Sequence, residues 1–299
     1  MGNLETICKC IKNNTVLNFV KRNLTESYSS NYPFYQKGVQ NMLDESFFLL
    51  YESQKLKLSV SSLRIATKKI KKLVFKADDD SFWFRSIYKK YKYRKANTDW
   101  SRIRKYISGK TILDFGNGQG HLGLQLNNNG YHVLACDILD YRIQEARSID
   151  FVKMISPTLL KYKPKSIDTT LIKSVLHHID EKNIPTILRK LRMITKRIIL
   201  GENIYDVPMK YIRGKKQSIL STFVSLATKD QLQTLILTDF FANHISSGRS
   251  DINYGLNFKT IDEWNAIFKK AGFSINCVNF IGFDPGKMTR NCHAWMVFD

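Results

Sequence analysis

From residue 111 onward, short apolar runs alternate with amphipathic segments. The runs 111–115, 132–138, 151–154, 168–175 and 197–201 have the length and the β-branched content of strands. Between them, 122–128 and 184–195 carry helical spacing, the latter with Ile184, Ile187, Leu188 and Leu191 on one face. Such alternation predicts an α/β domain with a parallel, doubly wound sheet, whose ligands lie outside the carboxyl ends of the strands. The rhythm breaks at residues 204–258, an insertion after the fifth strand that reads as helical around 217–243 and as a polar loop at 246–257. Thr260-Ile-Asp-Glu263 is a capping box opening a helix with Ile261, Trp264, Ile267 and Phe268 as its buried stripe and Gly272 as its stop. Runs 274–283 and 294–298, joined through the turn signal Asp284-Pro-Gly286, predict a closing antiparallel hairpin and complete a mostly parallel, seven-stranded sheet. Residues 1–100 read mainly as helices, with Leu56, Val60, Leu63, Ile70 and Val74 at helical spacing. The chain therefore divides into a basic helical N-terminal region, 1–100, and an α/β domain, 101–299. The helical parts are expected to meet as a lid.

The first strand ends in Asp114, and Gly116, Gly118 and Gly120 follow at alternate positions. Glycines there let the backbone turn sharply and approach a ligand closely. The helix opening after them directs its free N–H groups at the same ligand. Gly118-Gln-Gly120-His-Leu-Gly123 also satisfies the dinucleotide pattern, and Asp137 follows at the end of the next apolar run. Asp114 separates the two cofactor classes: an acid at the strand tip suits a cationic ammonium better than a pyrophosphate. Asp137 suits a ribose diol in either case.

With these residues in place, the sequence resembles the class I S-adenosylmethionine-dependent methyltransferases over about 103–299. Asp114-x-Gly116-x-Gly118-x-Gly120 is similar to their first motif, and Asp137, followed by Ile138, to their ribose-binding acid. The stretch from Ser166 to the Val175-Leu-His-His178 run resembles their fourth-strand segment, and Asn257 to Trp264 with Lys270-Ala-Gly-Phe273 the helix and turn before their last two strands. Ser156 stands where an acid commonly follows the third strand, and Ser174 where an acid often precedes the Val-Leu-His-His run. The resemblance implies S-adenosylmethionine as cofactor, held by Asp114, Gly116, Gly118, Gly120, Asp137, Ile138, Ser156 and Ser174.

Charge changes the picture of partners. The net charge is +21, and residues 55–110 hold 18 Lys/Arg against 4 Asp/Glu. In 82–106 aromatics (Trp83, Phe84, Tyr88, Tyr91, Tyr93, Trp100) stand among cations. One reading is a nucleic-acid or anionic-membrane surface. The other, favoured here, is helices with buried aromatics and solvated cations. Five cysteines without a C-x-x-C pair argue against a disulfide framework or a structural metal site. Cys136, Cys277 and Cys292 are expected to pack as small core residues. No secretory or membrane-spanning run is evident, so a cytoplasmic protein is expected. Met1-Gly-Asn-Leu-Glu-Thr6, with Cys8 and Cys10 behind it, fits the myristoylation pattern, which would add peripheral membrane association in a eukaryotic cell.

Methyl transfer needs positioning, and a base only where the acceptor must lose a proton. His177 and His178, expected to end the fourth strand, and Glu202, expected just after the fifth, are the candidate bases; no metal is required. One histidine should face the ligand and the other the sheet or a loop. Lys173 and Ser174 are placed at the same strand end. Asp239 and Asn243, one helical turn apart, share a face that either binds a polar acceptor or is solvated, the second being favoured. The leading expectation is a methyltransferase acting on a small-molecule or lipid-like acceptor. The chain lacks the Asn/Asp-Pro-Pro-Tyr/Phe tetrapeptide and the Pro-Cys pair of nucleic-acid-modifying enzymes. An RNA methyltransferase docking through residues 55–110 is the alternative, and a non-catalytic cofactor-binding protein the third reading.

Overall fold

The computed structural model describes residues 2–31, 36–56, 58–79, 82–154, 156, 162–247, 249 and 251–299. Seven strands form one sheet: β1 (Thr111–Phe115), β2 (His132–Asp137), β3 (Asp150–Lys153), β4 (Ile167–Lys173), β5 (Thr195–Asn203), β6 (Ile275–Phe283) and β7 (Cys292–Phe298). Their order is β3-β2-β1-β4-β5-β7-β6. The first five pair in parallel, whereas β7 runs against β5. The reciprocal hydrogen bonds between Ser274 and Asp299 (2.8 and 2.9 Å) close the β6–β7 hairpin. From β1 the chain works outward to β3 and then crosses back to β4. The switch point of the sheet thus lies between β1 and β4, where ligands of such sheets bind.

Two strand ends differ from the sequence expectation. β4 stops at Lys173, because Ser174 takes a left-handed backbone (φ 53°) and turns the chain away. β5 runs on to Asn203, continuing its ladder with β7 through Asn203 opposite His293.

By internal packing the chain forms two compact units, Met1–Ile87 with Ile204–Phe258 and Gly282–Cys292, and Tyr88–Asn203 with Lys259–Ile281 and His293–Asp299. The second holds most of the sheet together with α6 (His121–Asn128), α7 (Ile184–Ile194), α11 (Ile261–Lys270) and most of α5 (Phe82–Ile103). Its core gathers Ile112, Leu126, Val133, Leu171, Ile199 and Trp295, all essentially buried. The capping box forms as read: Glu263 N–H donates to the Thr260 hydroxyl (3.1 Å) and Thr260 N–H to the Glu263 carboxylate (2.7 Å). α11 ends at Gly272 in a left-handed conformation (φ 86°), as its C-terminal glycine predicts. Cys136 and Cys292 are core residues, but Cys277 is only half-buried, since β6 is an edge strand with one less neighbour to cover it.

The first unit contains α1 (Gly2–Lys12), α2 (Asn14–Asn31), α3 (Gln36–Lys55), α4 (Val60–Asp79), α8 (Met209–Ile212), α9 (Ser218–Val224), α10 (Thr228–Phe240) and a π-helical turn, Phe241–Ser246. The insertion and the N-terminal helices do meet one another: α10 packs on α1 and α2. Asn13 donates to Asp230 (2.7 Å) and Gln233 (2.9 Å). The loop after β6 is tied to α2, where Asn23 donates to the Arg290 carbonyl (2.8 Å) and Arg290 to Glu26 (2.9 Å). Cys8 and Cys10 are buried on α1. Met1, the first position of the acylation pattern, lies outside the described residues. Among the described residues no helix is long and apolar enough to cross a membrane.

The basic stretch resolves into ordinary amphipathic packing where its side chains are described. Leu63, Ala66 and Ile70 are buried on α4 while Arg64, Lys68, Lys69 and Lys72 are exposed. On α5, Tyr91 is buried, Tyr93 meets His121 edge-on with ring centroids 5.1 Å apart, and Trp100 packs on the core. The side chains of 75–88, including Trp83, Phe84 and Tyr88, lie outside the described residues, as does Lys57.

Gly201 sits under the indole of Trp295, whose ring carbons would lie 2.5–2.9 Å from an added Cβ. Gly201→Ala should therefore lower unfolding free energy by about 1–3 kcal/mol through overpacking. Gly38→Ala, on an exposed face of α3 with no atom within 4 Å of the new methyl, should be neutral or raise it by ~0.5–1 kcal/mol. Urea titration of both variants checks the contrast.

Candidate active site

The glycine loop is built from the strand ends upward. At the tip of β1 the N–H groups of Gly116 and Asn117 both donate to the Cys136 carbonyl (2.8 and 3.2 Å), which folds the loop back over β2. Gly116 needs its left-handed backbone (φ 72°) and its missing side chain, because a Cβ would fall 2.5 Å from Val175. Gly120 (φ 78°) turns the chain into α6, and Gln119 accepts from Ile143 N–H (3.1 Å), which ties the loop to the segment after β2. Gly118 differs from both. No protein atom lies within 4 Å of where its Cβ would be, so this stretch of backbone is a cradle that a side chain would fill. Beside it, both polar atoms of the Asn117 amide are buried without a hydrogen-bond partner among the described residues.

Asp137 ends β2 and reaches across to this cradle. One carboxylate oxygen accepts from Gly118 N–H (2.8 Å) and the other from Ile138 N–H (2.7 Å), which fixes the acid against the loop. Ile138 itself is exposed, next to the same strand end. Asp114 is buried on β1, opposite Ala135 of β2 and Leu171 of β4. Burial raises its pKa to about 7; Lys173 works against that rise and Asp137 adds to it. His121, at the start of α6, is pushed down to about 4 by burial and by Lys92 and Lys95, so it is neutral at physiological pH. Ser156 lies half-buried three residues beyond β3, flanked by residues outside the described set.

His177 and His178 do not lie on the fourth strand. They occupy a 3-10 turn, Leu176–His178, two residues beyond it. Nor does Glu202 follow the fifth strand: it is inside β5 and fully buried. The two departures have one cause. Ser174 turns the chain, its N–H donating to the Gly201 carbonyl (2.8 Å), and Glu202 then gathers the turn. One of its oxygens accepts from the N–H groups of Val175 (3.1 Å) and Leu176 (2.9 Å), and the other lies 2.5 Å from His177 Nδ1. Glu202 thus holds the turn and orients the histidine. His177 faces the sheet, and His178 is half-buried beside it with ring centroids 4.2 Å apart. Asp239 is in the first unit, on α10. It is buried and accepts from Asn243 (2.9 Å), so the two share a face as expected but are not the solvated pair favoured from sequence.

Three site features were invisible to motif reading: the paired amide atoms of Asn117, the Glu202 bonds to the turn, and an ion pair between Lys173 and Asp99 of α5. Asp99 carried one signal, as the lone acid within 81–110.

The strand order, the cradle at the β1 tip and the acid on β2 define an α/β domain that binds a nucleoside cofactor at its switch point. Residues 113–197 match the family model described as "Methyltransferase domain". Among solved structures the chain is similar to a candidate O-methyltransferase from Nostoc punctiforme (15% identity, 72% of this chain and 58% of that one, TM-score 0.47). It is also similar to 1,6-didemethyltoxoflavin-N1-methyltransferase of Burkholderia thailandensis (16%, 75% and 86%, TM-score 0.45) and to magnesium protoporphyrin IX methyltransferase of Synechocystis (15%, 73% and 87%, TM-score 0.44). The chain spans just over half the length of the Nostoc protein. No curated protein sequence matches it significantly. Residues 113–197 are thus similar to a methyltransferase domain, and S-adenosylmethionine is the cofactor that the sequence resemblance implies. The residues fit that group: the Gly118 cradle and the orphaned Asn117 amide leave backbone and polar atoms for a nucleoside, and the acids Asp114 and Asp137 stand near the ends of β1 and β2.

Burying Asp114 makes stability depend on pH with a definite sign. Its pKa is raised from 3.8 to about 7, so between those values the folded protein keeps a proton that the unfolded chain has released. Stability is lost as pH rises through that window. Asp114→Asn removes the titration. It should leave stability below pH ~4 unchanged and raise it above pH ~7 by an amount on the order of 2–4 kcal/mol. Denaturant midpoints measured from pH 4 to 8.5 would show the two curves diverging; parallel curves would contradict the assignment.

Proposed function

We propose that the protein transfers a methyl group from S-adenosylmethionine to a small-molecule or lipid-like acceptor. The bound cofactor supplies a methyl already activated by its sulfonium, so the protein's work is binding, orientation and exclusion of water. The residues divide that work. Asp137 and the Gly116–Gly120 loop hold the nucleoside, with Ile138, Ser156 and Ser174 beside them, and Asp114 receives the amino group of the methionine moiety. Where the acceptor must lose a proton, His177 or His178 takes it. Glu202, already accepting from two N–H groups and facing His177, acts as a positioning residue. If its carboxylate accepts from Nδ1, the basic nitrogen of His177 is Nε2.

The observation favouring a small acceptor over RNA is the packing of the basic stretch. Single-stranded nucleic acids are held by exposed aromatics set among cations. Here Tyr91 is buried, Tyr93 leans on His121 and Trp100 joins the core, and among the described residues of 55–110 no aromatic side chain is exposed.

Two outcomes follow. Asp137→Ala removes the acid fixed over the cradle and should weaken binding of S-adenosylhomocysteine by about 10- to 150-fold, equivalent to ~1.5–3 kcal/mol. Calorimetry should show no NAD binding to either protein, and tight NAD binding would sink the reading.

The acceptor class is tested by incubating the protein and methyl-labelled S-adenosylmethionine with a cell extract and separating organic-soluble, small-molecule and RNA fractions. Label is expected in the first two. RNA should bind no tighter than about 1 μM at physiological salt. Label in RNA, lost on charge reversal at Lys68, Lys71 and Lys72, would replace this acceptor with the RNA alternative. In the same assay, replacing the histidine that serves as base should slow transfer by about 10²- to 10⁴-fold with cofactor affinity retained.

A further inference from the structure

Parallel pairing places three charged residues on one face at the carboxyl edge of the sheet. Asp114 stands opposite Ala135 and Leu171. Asp137 lies two residues beyond Ala135, and Lys173 two residues beyond Leu171. Side chains two apart on a strand share a face, so all three project from the same side. α5 brings Asp99 to the Lys173 ammonium in a buried ion pair, the Asp99 side chain being only 1% exposed. A lysine in such a place needs an anionic partner, and Asp99 is that partner. With Asp137 nearby, Asp114 faces a second acid as well as burial, and both oppose its ionisation. Lys173 is the cation that counters them.

We propose that Lys173, clamped by Asp99 on the face it shares with Asp114, is a positioning residue for the cofactor: its ammonium favours the charged form of the Asp114 carboxylate, the form that receives the amino group of the methionine moiety. The proposal rests on the cofactor assignment above and adds to it a residue pair that serves the acid without touching the reaction. Other titratable groups face the same cluster. Lys95 on α5 stands beside Lys173, the Cys136 thiol on β2 is pushed up by burial, and His121 on α6 is held down at about 4. Lys173 itself is lowered to about 8 by burial, against the pull of Asp99, so losing Asp99 would discharge it near neutral pH.

The test compares two ligands by calorimetry between pH 5.5 and 8.5. S-adenosylhomocysteine carries the amino acid moiety; 5′-methylthioadenosine shares the nucleoside and lacks it. For the wild type, affinity for the first should rise with pH through neutrality, as Asp114 ionises, and affinity for the second should stay flat. Lys173→Met should move the rise upward by about one pH unit, weakening S-adenosylhomocysteine roughly fivefold at pH 7 and sparing methylthioadenosine. Because that variant strands Asp99, the double variant Asp99→Asn/Lys173→Met serves as the folding control. It should recover thermal stability yet keep the displaced pH profile, and Lys173→Arg should restore the wild-type profile. A double variant with the wild-type profile for S-adenosylhomocysteine would overturn the proposal and make the ion pair a purely structural one. A wild type that binds neither ligand would overturn the cofactor assignment instead.

Discussion

A carboxylate taken out of water must be met by donors or by a cation, and the carboxyl edge of this sheet carries several such acids close together. Asp137 takes the N–H groups of Gly118 and Ile138. Glu202 takes those of Val175 and Leu176 and faces His177. Asp99 takes the ammonium of Lys173. Each of these bonds shapes a segment: the glycine loop, the turn after β4, and the seat of α5 on the sheet. The protein therefore has no scaffold separate from its site on this edge. Removing one partner of such a buried pair typically costs about 3–5 kcal/mol, because the acid left behind is neither hydrated nor paired.

The same constraint separates residues that act from residues that hold. By chain position Glu202 looks like a candidate base, two strands over from β1 and the cofactor motif. Its surroundings argue for another role, since its two oxygens are already engaged by two backbone N–H groups and by the His177 ring. It fixes the peptide that carries His177 and His178. Ser174 belongs to the same device. Its left-handed backbone ends β4 at Lys173, so that a lysine rather than a serine is the last residue on the strand.

Much of this was legible in the chain because local rules and tertiary demand agreed. All seven strands, the capping box at Thr260 and the glycine stop at Gly272 come from periodicity and turn chemistry, and the structure keeps them. The first motif was legible for a related reason: Gly116 and Gly120 need conformations or clearances that other residues lack, which confines sequence choice. What stayed hidden depended on long-range juxtaposition. The end of β4 could not be read, since Val175 prolongs the apolar run and only Glu202, 27 residues later in the chain, draws it into a turn. Asp99 looked like one acid in a solvated basic helix until β4 supplied the lysine that faces it, 74 residues away. The burial of Asp239 was missed because a polar i,i+4 pair reads as a wet helix face unless the helices that cover it are known.

Net charge and site charge have opposite signs here, and distance reconciles them. The chain carries +21 overall, yet two acids, Asp114 and Asp137, stand beside the cofactor loop. Exposed cations such as Lys89, Lys90 and Lys105 act through water and salt, which screen them within about 8 Å at physiological ionic strength. Asp114 acts through a buried, weakly polarisable surrounding in which the same unit charge counts for several times more. A cationic cofactor can therefore bind a strongly basic protein without contradiction, because selection is made by the few charges that water does not reach. The fixed charge of Lys173 matters for the same reason: among 47 lysines and arginines, it is one whose ammonium is drawn into that buried set.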